Sequence, residues 1–294
     1  MVDAGWAGAE RANLPVAPTD TITRTVAIDR ARRRRRRFRP RRMLLGVAGV
    51  ITFLAVWEIA SRTGLVDPTY LPPASTVLLT LAQNATLTGF WEAVGQTVTS
   101  WALGIALALV LALPLGVIIG LSPFLQKATR TTVEFLRPIP SVGLIPLAVL
   151  LFAVPLQQSL LIITYGAFWQ IFIQVLYGVA DVDTVAMNTA RSFGFTWWQR
   201  VRDVVFPTML PYLLTGLRLA AAVALILAVT AELVIGTPGL GNQIALSRNV
   251  GLYESTYALV LATGLLGLVI NLGVRLLERR LLSWHQSVRG EAIA

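Results

Sequence analysis

The chain contains no cysteine, one histidine and one lysine, Lys127. Without cysteine there can be no disulfide framework, zinc–thiolate centre, iron–sulfur cluster or cysteine nucleophile. The lone histidine, His285, lies in a polar C-terminal stretch with no second imidazole near it. It reads as a solvated residue rather than a metal ligand or proton carrier. No G-x-x-x-x-G-K-[ST] run is present to cradle phosphates, and Lys127 has no glycine-rich loop around it. The carboxylates of Asp181, Asp183 and Glu254 are loop residues without the pairing a hydrolase needs. Charge itself is scarce. Only 14% of residues are charged and 55% are hydrophobic, against roughly a quarter charged in an ordinary soluble domain. The mean hydropathy is +0.67. These scarcities leave no room for a soluble catalytic domain and point to an all-α polytopic membrane protein.

Six apolar runs carry that reading: Met43–Ile59, Val94–Leu121, Pro138–Val154, Leu156–Tyr177, Tyr212–Ile235 and Tyr257–Leu277. Each can supply the ~20 residues a bilayer requires, allowing for tilt and ragged ends. The weakest boundary is between the third and fourth runs, where Pro155 and Gln157-Gln158 are the only breaks. Lipid satisfies no backbone hydrogen bond, so the runs are helices; the short alternating segments of a barrel are absent. Prolines and glycines recur in and beside them, as in Pro114, Pro138, Pro140, Pro146, Gly116 and Gly120. Both residue types are common in membrane helices, and equally suit kinked helices around a path that opens and closes.

The formal charge is +10, but 12 of the 25 basic residues precede residue 43, with Arg32 to Arg37 consecutive. Residues 1–42 read as a disordered basic tail, 43–285 as the membrane domain and 286–294 as a second tail. Tethered beside a span, the arginine arm is expected to meet anionic lipid. Nucleic acid is not expected as a partner, since only Phe38 interleaves the cluster. Placing the tail in the cytoplasm puts 22 basic residues on cytoplasmic segments and 2, Arg62 and Arg248, outside, with Arg218 inside the fifth span. Without the tail the ratio is still 10 to 2. The basic-residue bias thus places both termini in the cytoplasm of a cell-membrane protein.

Between the fourth and fifth spans lies a long cytoplasmic connection, residues 178–211. It reads as a short helix, a turn at Gly194 with positive φ, and a second helix of about three turns, with Pro207 and Pro211 terminating or redirecting the chain. Trp197, Val201 and Val205 share one face of that second helix. Such a helix suits either the headgroup layer or a groove on a peripheral subunit.

The segment resembles the cytoplasmic loop of permease subunits in bacterial ABC importers, where Glu-Ala-Ala is followed after three residues by Gly and nine residues later by Ile-x-Leu-Pro. Here Asn188-Thr189-Ala190, Arg191-Ser192-Phe193, Gly194 and Val204-Val205-Phe206-Pro207 keep the spacing. Asn188 replaces the acidic residue, removing the charge on which an ion pair or cap would rest. Further similarity runs through Phe135–Pro140 into Leu144–Leu147, Leu210-Pro211 with Thr215–Arg218, Ala231-Glu232 with Pro238–Gly241, and Leu277–Arg280. Together these are similar to the nitrate, taurine and aliphatic-sulfonate branch.

The resemblance implies a type I importer permease fold that pairs with a second permease subunit, expected to be a copy of itself. It implies separate cytoplasmic subunits that bind ATP and Mg²⁺, an extracytoplasmic solute-binding protein, and no cofactor or enzymatic site on this chain. Asn188, Thr189, Ala190, Arg191, Gly194, Val204, Phe206, Pro207, Leu210 and Pro211 would form the ATPase-coupling loop. A small polar solute, an aliphatic sulfonate, taurine or nitrate, is the expected cargo; a cationic or heterocyclic solute is the alternative.

Four polar residues in the spans are candidates for the path or its gate. Gln170 and Gln174 share a face at i,i+4 and should point into the bundle. Arg218, near the cytoplasmic end of its span, either snorkels or attracts an anion. Glu232 must face protein, water or the interface, as must Glu58, because an unpaired carboxylate in hydrocarbon costs ~2.5 kcal/mol or more. Packing or gating near the outer mouth suits Glu232 better than contact with an anionic solute. A secondary carrier would show internal repeats and mid-membrane charge relays, and an intramembrane enzyme a histidine cluster. Neither pattern is found.

Overall fold

The computed structural model describes residues 40–282; the basic tail before residue 40, and His285 with the C-terminal tail, fall outside the described residues. No strand occurs among those residues. The chain divides into two compact units, one up to Val56 and one from Trp57. The described part of the first is helical, the larger portion of α1 (Pro40–Arg62). Its leucine and valine side chains, such as Leu44, Leu45 and Val50, are exposed, as on a lipid-facing span.

In the second unit the last residues of α1 lead to α2 (Ala74–Asn84), α3 (Thr88–Leu121), α4 (Pro123–Leu136), a 3-10 turn (Ser141–Leu144), and α5 (Ile145–Leu151). Then follow α6 (Pro155–Ala180), α7 (Thr184–Ser192), α8 (Trp197–Arg200), a π-turn (Val201–Val205), α9 (Phe206–Ile235), α10 (Leu240–Asn249) and α11 (Tyr253–Leu281). Glu58 is not left in hydrocarbon. It accepts hydrogen bonds from Arg62 Nε at 2.6 Å and from Ser75 N at 3.0 Å, and so caps the start of α2.

Glycines set how the long helices meet. A Cβ on Gly116 would sit 2.6 Å from Val175, one on Gly120 would sit 2.9 Å from Val179, and one on Gly104 would overlap Ile163. The partner numbers rise together, so α3 and α6 run parallel. Between α6 and α9 they fall: Gly178 meets Met209, and Gly216 meets Gln174. That pair is therefore antiparallel. α11 runs antiparallel to α9, with Gly267 against Leu225 and Arg218 ion-paired to Glu278. Small residues of this kind let membrane helices approach closely enough for dispersion to hold them.

Parallel α3 and α6 require the residues between them to carry the chain from one end of the bundle to the other. The sequence reading expected a full helical span there, Pro138–Val154, and the structure corrects it. α4 ends before Pro138, the chain bends by 83°, and only the 3-10 turn and the seven-residue α5 climb beside α6. They reach from Ser141, beside Gly166, to Phe152, whose carbonyl accepts from Gln158 Nε2 at 2.7 Å. Pro138 and Pro140 fall in the bend, where each lacks the N–H a continuing helix needs, and Pro146 stands in the first turn of α5, where no donor is required. Among the described residues five helices are long and apolar enough to cross a bilayer, or six passages if the bent pair counts as one.

A second correction concerns Pro207 and Pro211, which do not end a helix. Residues 197–235 are one continuous helical run, with Pro207 in the first turn of α9 and Pro211 inside it. The π-turn at Val201–Val205 immediately precedes Pro207 and absorbs the register change that a missing donor demands. The expected separate second loop helix is therefore the N-terminal extension of the fifth span.

Candidate coupling loop and translocation path

The loop between α6 and α9 is built by local capping. Asp183 Oδ1 accepts from Val185 N at 2.8 Å and starts α7. Its end is a Schellman closure: Phe195 N donates to Ala190 O and Gly194 N to Arg191 O, both at 3.0 Å. Gly194 has φ +76°, a backbone region that costs any other L-residue strain. Thr196 then opens α8 with a capping box. Thr196 N donates to Gln199 Oε1 at 2.8 Å, and Gln199 N to Thr196 Oγ1 at 3.3 Å.

Of the residues expected here, Asn188, Thr189, Arg191 and Gly194 are exposed, Ala190 is buried, and Val204 is half-buried. Phe206 and Pro207 are exposed, while Leu210 and Pro211 are half-buried in the run-up to α9. Missed by the motif comparison are Phe193 and Phe195, which with Trp197 and Trp198 surround the turn as exposed aromatics. Their aromatic character beside a glycine in a polar loop is the signal that was there to read. A cluster of that kind marks a contact surface rather than a solvated loop.

Gln170 and Gln174 line a cavity of about 280 Å³ between α6, α9 and the 137–141 bend. Arg137, Ser141 and Trp169 face it with them. None of these five side chains makes a hydrogen bond or ion pair with the protein among the described residues. Trp169 is 8% exposed, and its indole N–H is buried without an acceptor, an arrangement that ordinarily costs ~1–3 kcal/mol. Tyr165 Oη donates to Leu136 O at 2.6 Å and fastens the end of α4, next to Arg137, onto α6. Sequence reading counted Arg137 only as a cytoplasmic positive charge; the residue is exposed, and the bend that sets it against this cavity was hidden by the expectation of a full third span.

Arg218 is not in this cavity. Its guanidinium pairs with Glu278 on α11, so its charge is already met and it is not a free anion attractor. The Glu278 partnership was masked by the neighbouring Arg279 and Arg280.

Glu232 lies at the opposite end of the bundle, fully buried. Its Oε2 accepts from Thr97 Oγ1 at 2.9 Å and from Gly241 N at 2.8 Å, while Thr97 Oγ1 accepts from Leu240 N at 2.9 Å. One carboxylate thus ties α3, α9 and the start of α10. Gly239, at φ +153°, passes so close that a Cβ there would collide with the carboxyl group. The arrangement packs helices and offers no opening to a solute.

The fold matches the inward-facing MetNI methionine ABC transporter with a TM-score of 0.57 at 22% identity, over 67% of this chain and 97% of that one. It matches an amino acid ABC transporter equally well, at 0.57 and 18% identity. In sequence, the chain is 30% identical to the taurine transport system permease protein TauC of Escherichia coli (strain K12) over 254 residues, 85% of this chain and 92% of that one. It is 28% identical to the bicarbonate transport system permease protein CmpB of Synechococcus elongatus over 252 residues, 82% and 90% of the two chains. Residues 112–283 match the model of the binding-protein-dependent transport system inner membrane component family. The chain belongs to that family, a multi-pass permease component of the nitrate, sulfonate and taurine branch of ABC importers.

Proposed function

We propose that the chain forms the translocation path of an ATP-driven importer for a small solute bearing an acid group: taurine, an aliphatic sulfonate, nitrate or bicarbonate. It does so as a pair with a second permease subunit, a copy of itself. ATP and Mg²⁺ are held by separate cytoplasmic subunits, and no cofactor by this chain. A solute-binding protein delivers cargo to the end of the bundle where Glu232 lies. The other end, with both termini and the α7–α8 turn, faces the cytoplasm, and the arginine-rich tail contacts anionic lipid there.

The observation carrying this reading is the Gly194 turn, which exposes Phe193, Phe195, Trp197 and Trp198 in the connection between α6 and α9. It is rigidly capped on both sides and continuous with α9. A push on the turn is therefore delivered directly to a membrane-crossing helix. The acid-solute choice is supported by the taurine and bicarbonate relatives and by the cationic cavity at Arg137.

The test is reconstitution of the permease with its cognate ATPase and binding proteins, followed by uptake of taurine, ethanesulfonate, nitrate and bicarbonate. ATP-dependent accumulation of at least one is expected, with ATP hydrolysis stimulated by the loaded binding protein. Accumulation driven by an ion gradient without ATP, or of cationic solutes alone, overturns the proposal.

A further inference from the structure

The cavity on α6 is composed for one kind of ligand. Its polar lining brings a guanidinium (Arg137), two primary amides (Gln170 and Gln174) and two hydroxyls (Ser141 and Tyr177), and includes no carboxylate. The guanidinium is a donor only, and the amides and hydroxyls can each donate as well. The nearest acidic residue along the chain, Glu134, is occupied by Arg130 Nε at 2.8 Å. Arg137 therefore gives the cavity a net positive charge.

Two further features mark it as a built site rather than a packing gap. None of these five side chains makes a hydrogen bond or ion pair with protein among the described residues, so each is free to meet a solute. Buried donors in proteins are met by protein, water or ligand. Gly166, which lines the cavity, also leaves room there: a Cβ on it would overlap Leu227 and lie 2.9 Å from Ser141 Oγ. At about 280 Å³ the cavity holds roughly nine waters, or a small organic anion with part of its hydration. Arg137, Ile173 and Tyr177 also line an adjoining cavity of about 690 Å³ beside α4, which reaches Ala180 at the end of α6.

Resting on the reading of the chain as an acid-solute permease, we propose that Arg137, Ser141, Gln170 and Gln174 form an oxyanion site within the membrane domain. It holds the sulfonate, carboxylate or bicarbonate group of a small solute. A planar guanidinium and fixed amide donors suit such a group, and the charge-assisted contacts replace the hydration lost on entering the bundle. A cation meets the wrong charge there.

The chain's lack of cysteine makes the test direct. Single cysteines are introduced as Gln174→Cys and, separately, Gln170→Cys in the full-length protein in membrane vesicles, with Asn188→Cys on the exposed loop as reference. Each is treated with 2-sulfonatoethyl methanethiosulfonate, itself a two-carbon sulfonate, and with its trimethylammonioethyl counterpart. The ratio of anionic to cationic modification rates is expected to be at least about tenfold higher at Gln174→Cys or Gln170→Cys than at Asn188→Cys. Adding Arg137→Gln should bring it to the reference value, while Arg137→Lys retains most of the preference. Ethanesulfonate should slow the reaction in the Arg137 background only. A ratio equal to the reference, indifference to Arg137→Gln, or failure of both cysteines to react overturns the site. These rates need neither ATP nor partner proteins, so failed import by the reconstituted system would count against the transport proposal and leave the oxyanion site standing.

Discussion

A carboxylate sealed from solvent in an apolar helix persists only where donors meet it, and at Glu232 they come from two other elements. Thr97 Oγ1 donates to it from α3 and Gly241 N from α10. Thr97 in turn accepts from Leu240 N. Glu232→Gln keeps an oxygen for both donors and should cost about 1 kcal/mol or less. Thr97→Val strands the Leu240 N–H and should cost ~1–3 kcal/mol; Glu232→Leu strands two donors and should cost more than either. Thermal unfolding midpoints of the purified permease complex should fall in that order, and a Glu232→Leu protein as stable as the parent would contradict the assignment. Single residues were only partly legible beforehand. That Glu58 and Glu232 need partners follows from the cost of burying charge, but Ser75 and Thr97 could not be named, because they lie 17 and 135 positions away from their carboxylates. Arg218 misled for the same reason: its neutralising partner, Glu278, comes from another helix.

Elements were legible where local chemistry governs them. The positive φ at Gly194 followed from its place between a short helix and an amphipathic run, because helix closure is settled within a few residues. Prolines were harder. Pro207 and Pro211 sit in a continuous helix because the π-turn before them accommodates the missing donors, whereas Pro138 and Pro140, with no such relief, break the expected third span, and Pro146 opens its short helical remainder. The same residue type thus ends one element and is absorbed by another. A Cβ at Gly194 meets no neighbouring atom, so substitution there strains the backbone without disturbing packing. Gly194→Val should weaken the turn by roughly 1–2 kcal/mol, while Gly194→Asn, which tolerates αL, should be near parental. In the reconstituted importer the valine variant is expected to lose most binding-protein-stimulated ATP hydrolysis while still reaching the membrane; equal stimulation in parent, Asn and Val proteins would remove the turn from coupling.

For the whole molecule, helix directions and basic residues bear on the same question independently. Parallel α3 and α6 require residues 122–154 to connect opposite ends of the bundle even though α5 has only seven residues. At about 2.0 Å per residue in the 3-10 turn and about 1.5 Å in α5 the two together rise about 18 Å, somewhat over half of a ~30 Å hydrocarbon core. The remaining distance falls to α4 and the Arg137–Pro140 bend, which lies beside Gln170 and Gln174. The basic residues agree: Lys127, Arg130 and Arg137 lie toward the start of this passage, and no Lys or Arg follows until Arg191 in the next cytoplasmic loop. Single cysteines at Lys127 and Ala153 should therefore label from opposite sides. With a membrane-impermeant maleimide on intact cells, Ala153→Cys, Ala85→Cys and Asn249→Cys are expected to react, and Lys127→Cys and Asn188→Cys only after permeabilisation. If Lys127→Cys and Ala153→Cys label from the same side, residues 122–154 form a re-entrant loop. The parallel packing of Gly104, Gly116 and Gly120 against α6 would then have to be abandoned, since two spans joined by such a loop must run in opposite directions.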